Sequence, residues 1–219
     1  MAITITRNGY GQVEPNQLSA QKTGQIYASL PLDTNVDILQ NGEFMFYDAA
    51  AGKVTGTSTN VVEPYLVFNE IKLYEPFWRT SYKDFAMIRV NHVSGGTVTK
   101  GENYVTSDLT TERYGDGADN IGVAASPAHT EYPYRMDGFA PRLFKTNVGD
   151  IMTTNMVDTG ANNVGVSYKV GDKLVPAATT NNTLQFEIDN SATTGMIWVV
   201  VKETTMPDGQ PAVKVQRVQ

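Results

Sequence analysis

Ile197-Trp198-Val199-Val200-Val201-Lys202-Glu203-Thr204-Thr205-Met206-Pro207-Asp208-Gly209-Gln210-Pro211-Ala212-Val213-Lys214-Val215-Gln216-Arg217-Val218 carries the clearest fold signal in the chain. Two runs rich in β-branched residues flank a Pro-Asp-Gly turn. Proline presets φ for such a turn, and glycine tolerates φ > 0. The spacing predicts a strand from Ile197 to Thr204, a turn over Pro207–Gln210, and a strand from Ala212 to Val218. Val213, Val215 and Arg217 then share one face.

Working back along the chain, the pattern stays β. Val36–Leu39 and Glu43–Tyr47 are short apolar runs on either side of Asn41-Gly42, which reads as a hairpin signal. Tyr65–Phe68, Ile71–Tyr74 and Phe85–Val90 continue in strand-like fashion. Only Pro15–Thr23 and Tyr82–Met87 could make short helices. Pro127, Pro133, Gly138 and Pro141 break the pattern over residues 126–147, which predicts a long ordered loop or crossover. The expected fold is all-β, a sandwich or barrel with an extended N-terminal arm and a long central loop. The expected division is an arm at 1–35, a main β domain at 36–146 and a C-terminal β unit at 147–219.

The arm is set apart by composition. Ile3 and Ile5 alternate with threonine and suit one short strand. Residues 8–17 are polar, broken by Gly and Pro, and without a period, while Leu18, Ile26, Tyr27, Leu30 and Leu32 are scattered behind them. Such a stretch makes no core of its own, so it is either a floppy terminus or an arm that docks on a neighbouring subunit, and the docking arm is the reading taken. On that reading, deletion of residues 1–30 leaves a folded β protein.

A small pattern recurs: glycine, an acid, any residue, an apolar residue. It occurs at Gly42-Glu43-Phe44-Met45, Gly101-Glu102-Asn103-Tyr104, Gly149-Asp150-Ile151-Met152 and Gly171-Asp172-Lys173-Leu174. Glycine permits the tight turn, the acid can accept nearby backbone N–H groups, and the apolar residue opens an inward-facing strand.

Composition narrows the function. The chain has 219 residues, 41% hydrophobic, with no cysteine and a formal net charge of −6. Without cysteine there is no disulfide scaffold, zinc ribbon or cysteine nucleophile. The acidic balance disfavours nucleic acid as a partner. The longest apolar run, Met196–Val201, is far short of a membrane helix, so neither membrane nor targeting segment is expected. The expected site of synthesis is a reducing cytoplasm. His92 and His129 are the two histidines, and neither sits in a ligand spacing. Nucleophile-elbow, phosphate-loop and dinucleotide motifs are missing, which predicts a protein that is not an enzyme and needs no cofactor or metal. Asp116-Gly117-Ala118-Asp119-Asn120 is the best calcium candidate, but it lacks the full spacing of a helix-loop-helix calcium site, and a solvated turn is the reading preferred.

Lys100-Gly101-Glu102 followed by Ile121-Gly122-Val123-Ala124 resembles the small β-barrels of tailed-bacteriophage capsid decoration (cement) proteins. Val148-Gly149-Asp150 followed by Val164-Gly165-Val166 repeats the order, and the closing hairpin resembles phage head proteins. The resemblance spans about residues 98–219. It implies a structural virion protein on the capsid exterior, with the major capsid protein as partner and a homo-oligomeric state. The alternatives are a coat, connector or tail-tube subunit, and a carbohydrate-binding or head-fibre module. The expected contact residues are Tyr10, Val13, Leu18, Ile26 and Tyr27 of the arm, with Trp78, Tyr132 and Tyr134 from two aromatic clusters.

Overall fold

The structure, a computed structural model, describes residues 2–5, 11–36, 38–69, 86–88, 140–157 and 167–219. Its fold is all-β, a curled antiparallel sheet forming a half-barrel. In chain order the elements are β1 (Ile3–Thr4), β2 (Val13–Gln17), α1 (Ser19–Thr23), β3 (Ile26–Tyr27), β4 (Ile38–Gln40) and β5 (Phe44–Asp48). Then follow β6 (Lys53–Thr55), β7 (Tyr65–Val67), β8 (Ala86–Ile88), β9 (Leu143–Phe144) and β10 (Ile151–Thr154). The chain closes with β11 (Ser167–Tyr168), β12 (Lys173–Ala178), β13 (Leu184–Ile188), β14 (Trp198–Thr205) and β15 (Pro211–Arg217). The main sheet runs β2-β10-β15-β14-β12-β13-β5-β7-β9-β3, with β6 beside β5. β1 pairs with β11 and β4 with β8 in two small ladders.

The predicted closing hairpin is present. Met206 donates its N–H to the Gln210 carbonyl at 2.8 Å, and Gly209 takes φ +89°. Val213, Val215 and Arg217 are all buried.

The arm is corrected. Residues 13–27 supply both outermost strands of the main sheet, β2 and β3. Val13 and Leu18 are each 1% exposed in the main core. The polar stretch hides its strand because β2 lies on an edge and points one large apolar side chain, Val13, inward. Pro15 and Asn16 face the single residue Met152 in a bulge, a place where a strand tolerates proline. Pairing with β10, more than a hundred residues away, supplies what local propensity lacks. Deletion of residues 1–30 therefore removes part of the core. The three-way division is not followed by the sheet, because β13 of the last stretch pairs with β5 of the middle one through Leu184↔Phe44.

Two further expectations change. β4 and β5 form no hairpin; β4 pairs with β8, and β5 with β6, β7 and β13. The Asn41 side chain explains the divergence. Its amide donates to the Asn69 carbonyl at 3.0 Å and accepts the Asn69 N–H at 2.7 Å, tying the turn to the end of β7. The helix read over Tyr82–Met87 is a strand at Ala86–Ile88, and its remaining residues lie outside those described. The helix read over Pro15–Thr23 contracts to the five residues of α1, after which Gly24 at φ +71° ends it. The break at 126–147 contains β9, and most of it lies outside the described residues.

The sheet has two covered faces in its β5–β3 half. The ladder places Leu184, Phe44, Leu66, Phe144 and Ile26 in one row across five strands. That row faces the main core, where Phe44, Phe186 and Trp198 meet edge-on or tilted at 4.9–6.3 Å between centroids. The neighbouring row, Val67, Leu143 and Tyr27, faces a second core with Leu32, Val36, Leu39, Met45 and Val54.

Candidate interaction site

Three of the four Gly-acid turns fall on described residues, and they are built alike. Gly42, Gly149 and Gly171 take φ of +92°, +97° and +96°. Positive φ at this third turn position is what glycine allows and other residues resist. Each glycine donates its N–H to a neighbouring strand: to Val67 at 3.0 Å, Arg217 at 2.8 Å and Val200 at 2.8 Å. Those three residues donate back to the carbonyls of Glu43, Asp150 and Asp172 at 2.8–2.9 Å.

The three acids are buried, and their carboxylates act as clamps. One oxygen of each accepts the N–H at the start of its own turn, from Gln40 at 2.7 Å, Asn147 at 2.9 Å and Lys169 at 2.9 Å. The other oxygen reaches a distant segment. Glu43 Oε1 accepts from the Thr183 hydroxyl and the Gln185 amide. Asp150 Oδ1 accepts the Ser19 N–H, and Asp172 Oδ1 accepts the Asn190 amide. A carboxylate whose lone pairs are filled this way holds the backbone of its turn in place.

Three further acids, Asp48, Asp189 and Asp33, also accept from groups close by in the chain. Asp48 accepts from the Ser58 hydroxyl at 2.7 Å, the Ala51 N–H and the Asn60 amide, and these bonds hold its carboxyl below the usual range. Asp189, bonded to the Ser191 hydroxyl and N–H, is lowered likewise. For Asp33 burial pushes upward, but the 2.7 Å contact with Lys53 Nζ and the Asn35 N–H bring it below the ordinary value. Among the described residues no three His, Cys, Asp or Glu side chains gather as metal ligands. The Asp116–Asp119 loop, His92 and His129 lie outside those residues.

Of the eight expected contact residues, Tyr10, Trp78, Tyr132 and Tyr134 also lie outside the described residues. Val13 and Leu18 are core residues, as given above, and Ile26 is half-buried against the main core. Tyr27 is the one that reaches a surface cluster. It meets Tyr47 at 5.0 Å and Tyr65 at 5.3 Å, while Tyr47 and Tyr65 lie parallel at 6.4 Å. All three rings are half-buried over the second core. Tyr47 and Ser29 share a 2.6 Å hydroxyl bond. Burial, with Tyr27, Glu63 and Tyr47 close by, raises the Tyr65 phenol above its usual value. Glu63 is paired with Arg217, which also donates to the Thr146 carbonyl and hydroxyl. Tyr47 and Tyr65 belong to apolar runs read only as strands. Their meeting with Tyr27 depends on the β3-β9-β7-β5 order, which no local pattern encodes.

This arrangement offers rigid amphipathic rings with polar tips, the chemistry of a contact surface. Comparison with protein families, with characterised proteins and with solved structures finds no match to this chain.

Proposed function

We propose that the chain is a structural protein of a bacteriophage virion, bound to the capsid exterior, which it stabilises or decorates without catalysis. The observation that carries this reading is the Gly-acid turn. At Gly101 and Gly149, together with the segments 121–124 and 164–166 and the closing hairpin, it is part of what the resemblance to capsid decoration proteins rests on. At Gly149 and Gly171 it opens inward-facing strands in adjoining parts of one curled sheet. The net charge of −6 fits a place outside the shell, away from packaged DNA. Because residues 11–35 belong to the body, the mechanism differs from an arm that folds on its partner. A preformed surface meets the major capsid protein, and repetition by symmetry adds many modest contacts. The half-exposed tyrosine cluster is the part of the described surface best suited to that contact.

The same cluster favours a second reading, a head-fibre or carbohydrate-binding module. One comparison separates the two. Gold-labelled antibody against the chain is applied to phage particles from the host that expresses it, and the purified chain is screened on a glycan array. Label on icosahedral shells is expected. Label confined to tails, or to no particle, overturns the capsid reading. Glycan binding lost in Tyr27→Ala moves the function to the second reading.

A further inference from the structure

Among the described residues the β1 ladder is as short as the β3–β9 ladder and, unlike it, adds nothing to the main sheet. It is two residues long, Ile3↔Tyr168 and Thr4↔Ser167, and stands outside the main sheet. Its side chains alternate as a docked strand should. Ile5 is 5% exposed in the main core and Ile3 packs against the same core. Thr4 turns outward, its hydroxyl 2.9 Å from that of Ser167. One fully buried isoleucine, one half-buried one and a two-residue ladder are gained. Against this stands the cost of ordering four residues, which is of the same order. The place that β1 fills is nevertheless specific. Tyr168 is 2% exposed beside it, and among the described residues β1 is the strand that pairs with β11.

We propose that residues 2–5 are an exchangeable strap, and that the slot beside β11 accepts the same segment of a second copy of this chain. An identical segment makes identical contacts, so exchange between touching copies forfeits no interaction. Residues 6–10 separate the strap from Gly11, which limits its reach to a copy in direct contact. Closely packed copies are thereby stitched together, and an isolated copy keeps its own slot filled. This stands apart from the virion reading. Exchange can occur without capsid binding, and capsid binding without exchange.

The absence of cysteine makes the test clean. Thr4 and Ser167 are direct cross-strand partners, a geometry that a disulfide can span. Thr4→Cys and Ser167→Cys are prepared as separate full-length chains, mixed at rising concentration and oxidised. Peptide mapping then identifies the linked residues. A 4–167 link between the two chains is expected, increasing with concentration and falling at least ten-fold when Ile5→Asp is added to the Thr4→Cys chain. The double variant Thr4→Cys/Ser167→Cys reports closure within one chain. If it closes at every concentration while the mixture gives no 4–167 link, the strap is fixed and the proposal fails. If neither link forms, β1 does not occupy the slot in solution, and the proposal fails as well.

Discussion

Strand pairs β14–β15 and β5–β7 belong to one sheet, yet their sequences look unlike. In β15, buried Val213, Val215 and Arg217 alternate with half-buried Lys214 and Gln216. In β5, Phe44, Met45, Phe46 and Tyr47 are apolar at every place. The difference is cover. The β14–β15 hairpin presents one face to the main core. β5 and β7 lie between two cores, so both sets of alternate side chains need apolar surroundings. Phe44 and Leu66 face the main core, while Met45 and Val67 face the second.

The largest effect tests that division. Phe44→Ala should cost about 3–5 kcal/mol and Met45→Ala about 2–5 kcal/mol, measured by urea unfolding. The sharper reading comes from combining each with Phe186→Ala. Phe44 and Phe186 are in ring contact at 4.9 Å, so their double-mutant cycle should show about 0.5–3 kcal/mol of coupling. Met45 points to the opposite face, and its cycle with Phe186 should be additive within about 0.5 kcal/mol. Equal coupling in both cycles would mean that the two faces do not belong to separate cores.

This contrast also explains what was legible in the sequence. The closing hairpin was, because its partners are neighbours in the chain and its turn chemistry is local. The Gly-acid turns were legible for the same reason: glycine, acid and inward strand lie within four residues. β2 was not, since Val13-Glu14-Pro15-Asn16-Gln17 is a strand through its pairing with β10 and lacks an apolar alternation of its own. β9 was hidden too. Leu143-Phe144 sits between prolines and charges, and it becomes strand by filling the gap between β7 and β3. The Asn41-Gly42 hairpin misled because the turn is real but the pairing is not. The candidate surface was legible through one residue, Tyr27, since its two companions arrive by way of strand order.

The three Gly-acid turns allow a second, smaller comparison. Gly149 and Gly171 have open space where a Cβ would stand, so alanine there meets only the backbone cost of positive φ, about 1–2 kcal/mol. Gly42 has the same φ, but its Cβ would lie 2.5 Å from Met156 Cβ and 2.9 Å from Thr154 Oγ1. Overpacking there adds about 1–3 kcal/mol. Gly42→Ala should therefore unfold at clearly lower urea than Gly149→Ala or Gly171→Ala. Three equal midpoints would show that β10 and the β4–β5 turn are less tightly packed than the structure has them.

The smallest effect concerns acid. Asp48 closes β5 and its carboxyl is held low by the Ser58 hydroxyl, the Ala51 N–H and the Asn60 amide. A group whose folded-state pKa is depressed contributes stability above its unfolded pKa, here near 3.8, and that contribution is lost as pH falls through the folded value. Asp33 and Asp189 act in the same direction. Melting temperature should therefore show no loss from these groups above about pH 5 and should fall below about pH 4. Asp48→Asn should melt lower than the parent at pH 7, and the gap should narrow as pH falls below the unfolded value of 3.8 and on through the lower folded one. Asp189→Asn should show the same closing gap at smaller size, because its hydroxyl and N–H partners both belong to Ser191, two residues on. Asp48 instead ties the end of β5 to Ser58 and Asn60, ten and twelve residues away. A gap that stayed constant from neutral pH to pH 3 would show that Asp48→Asn acts through lost packing and not through the charge of its carboxylate.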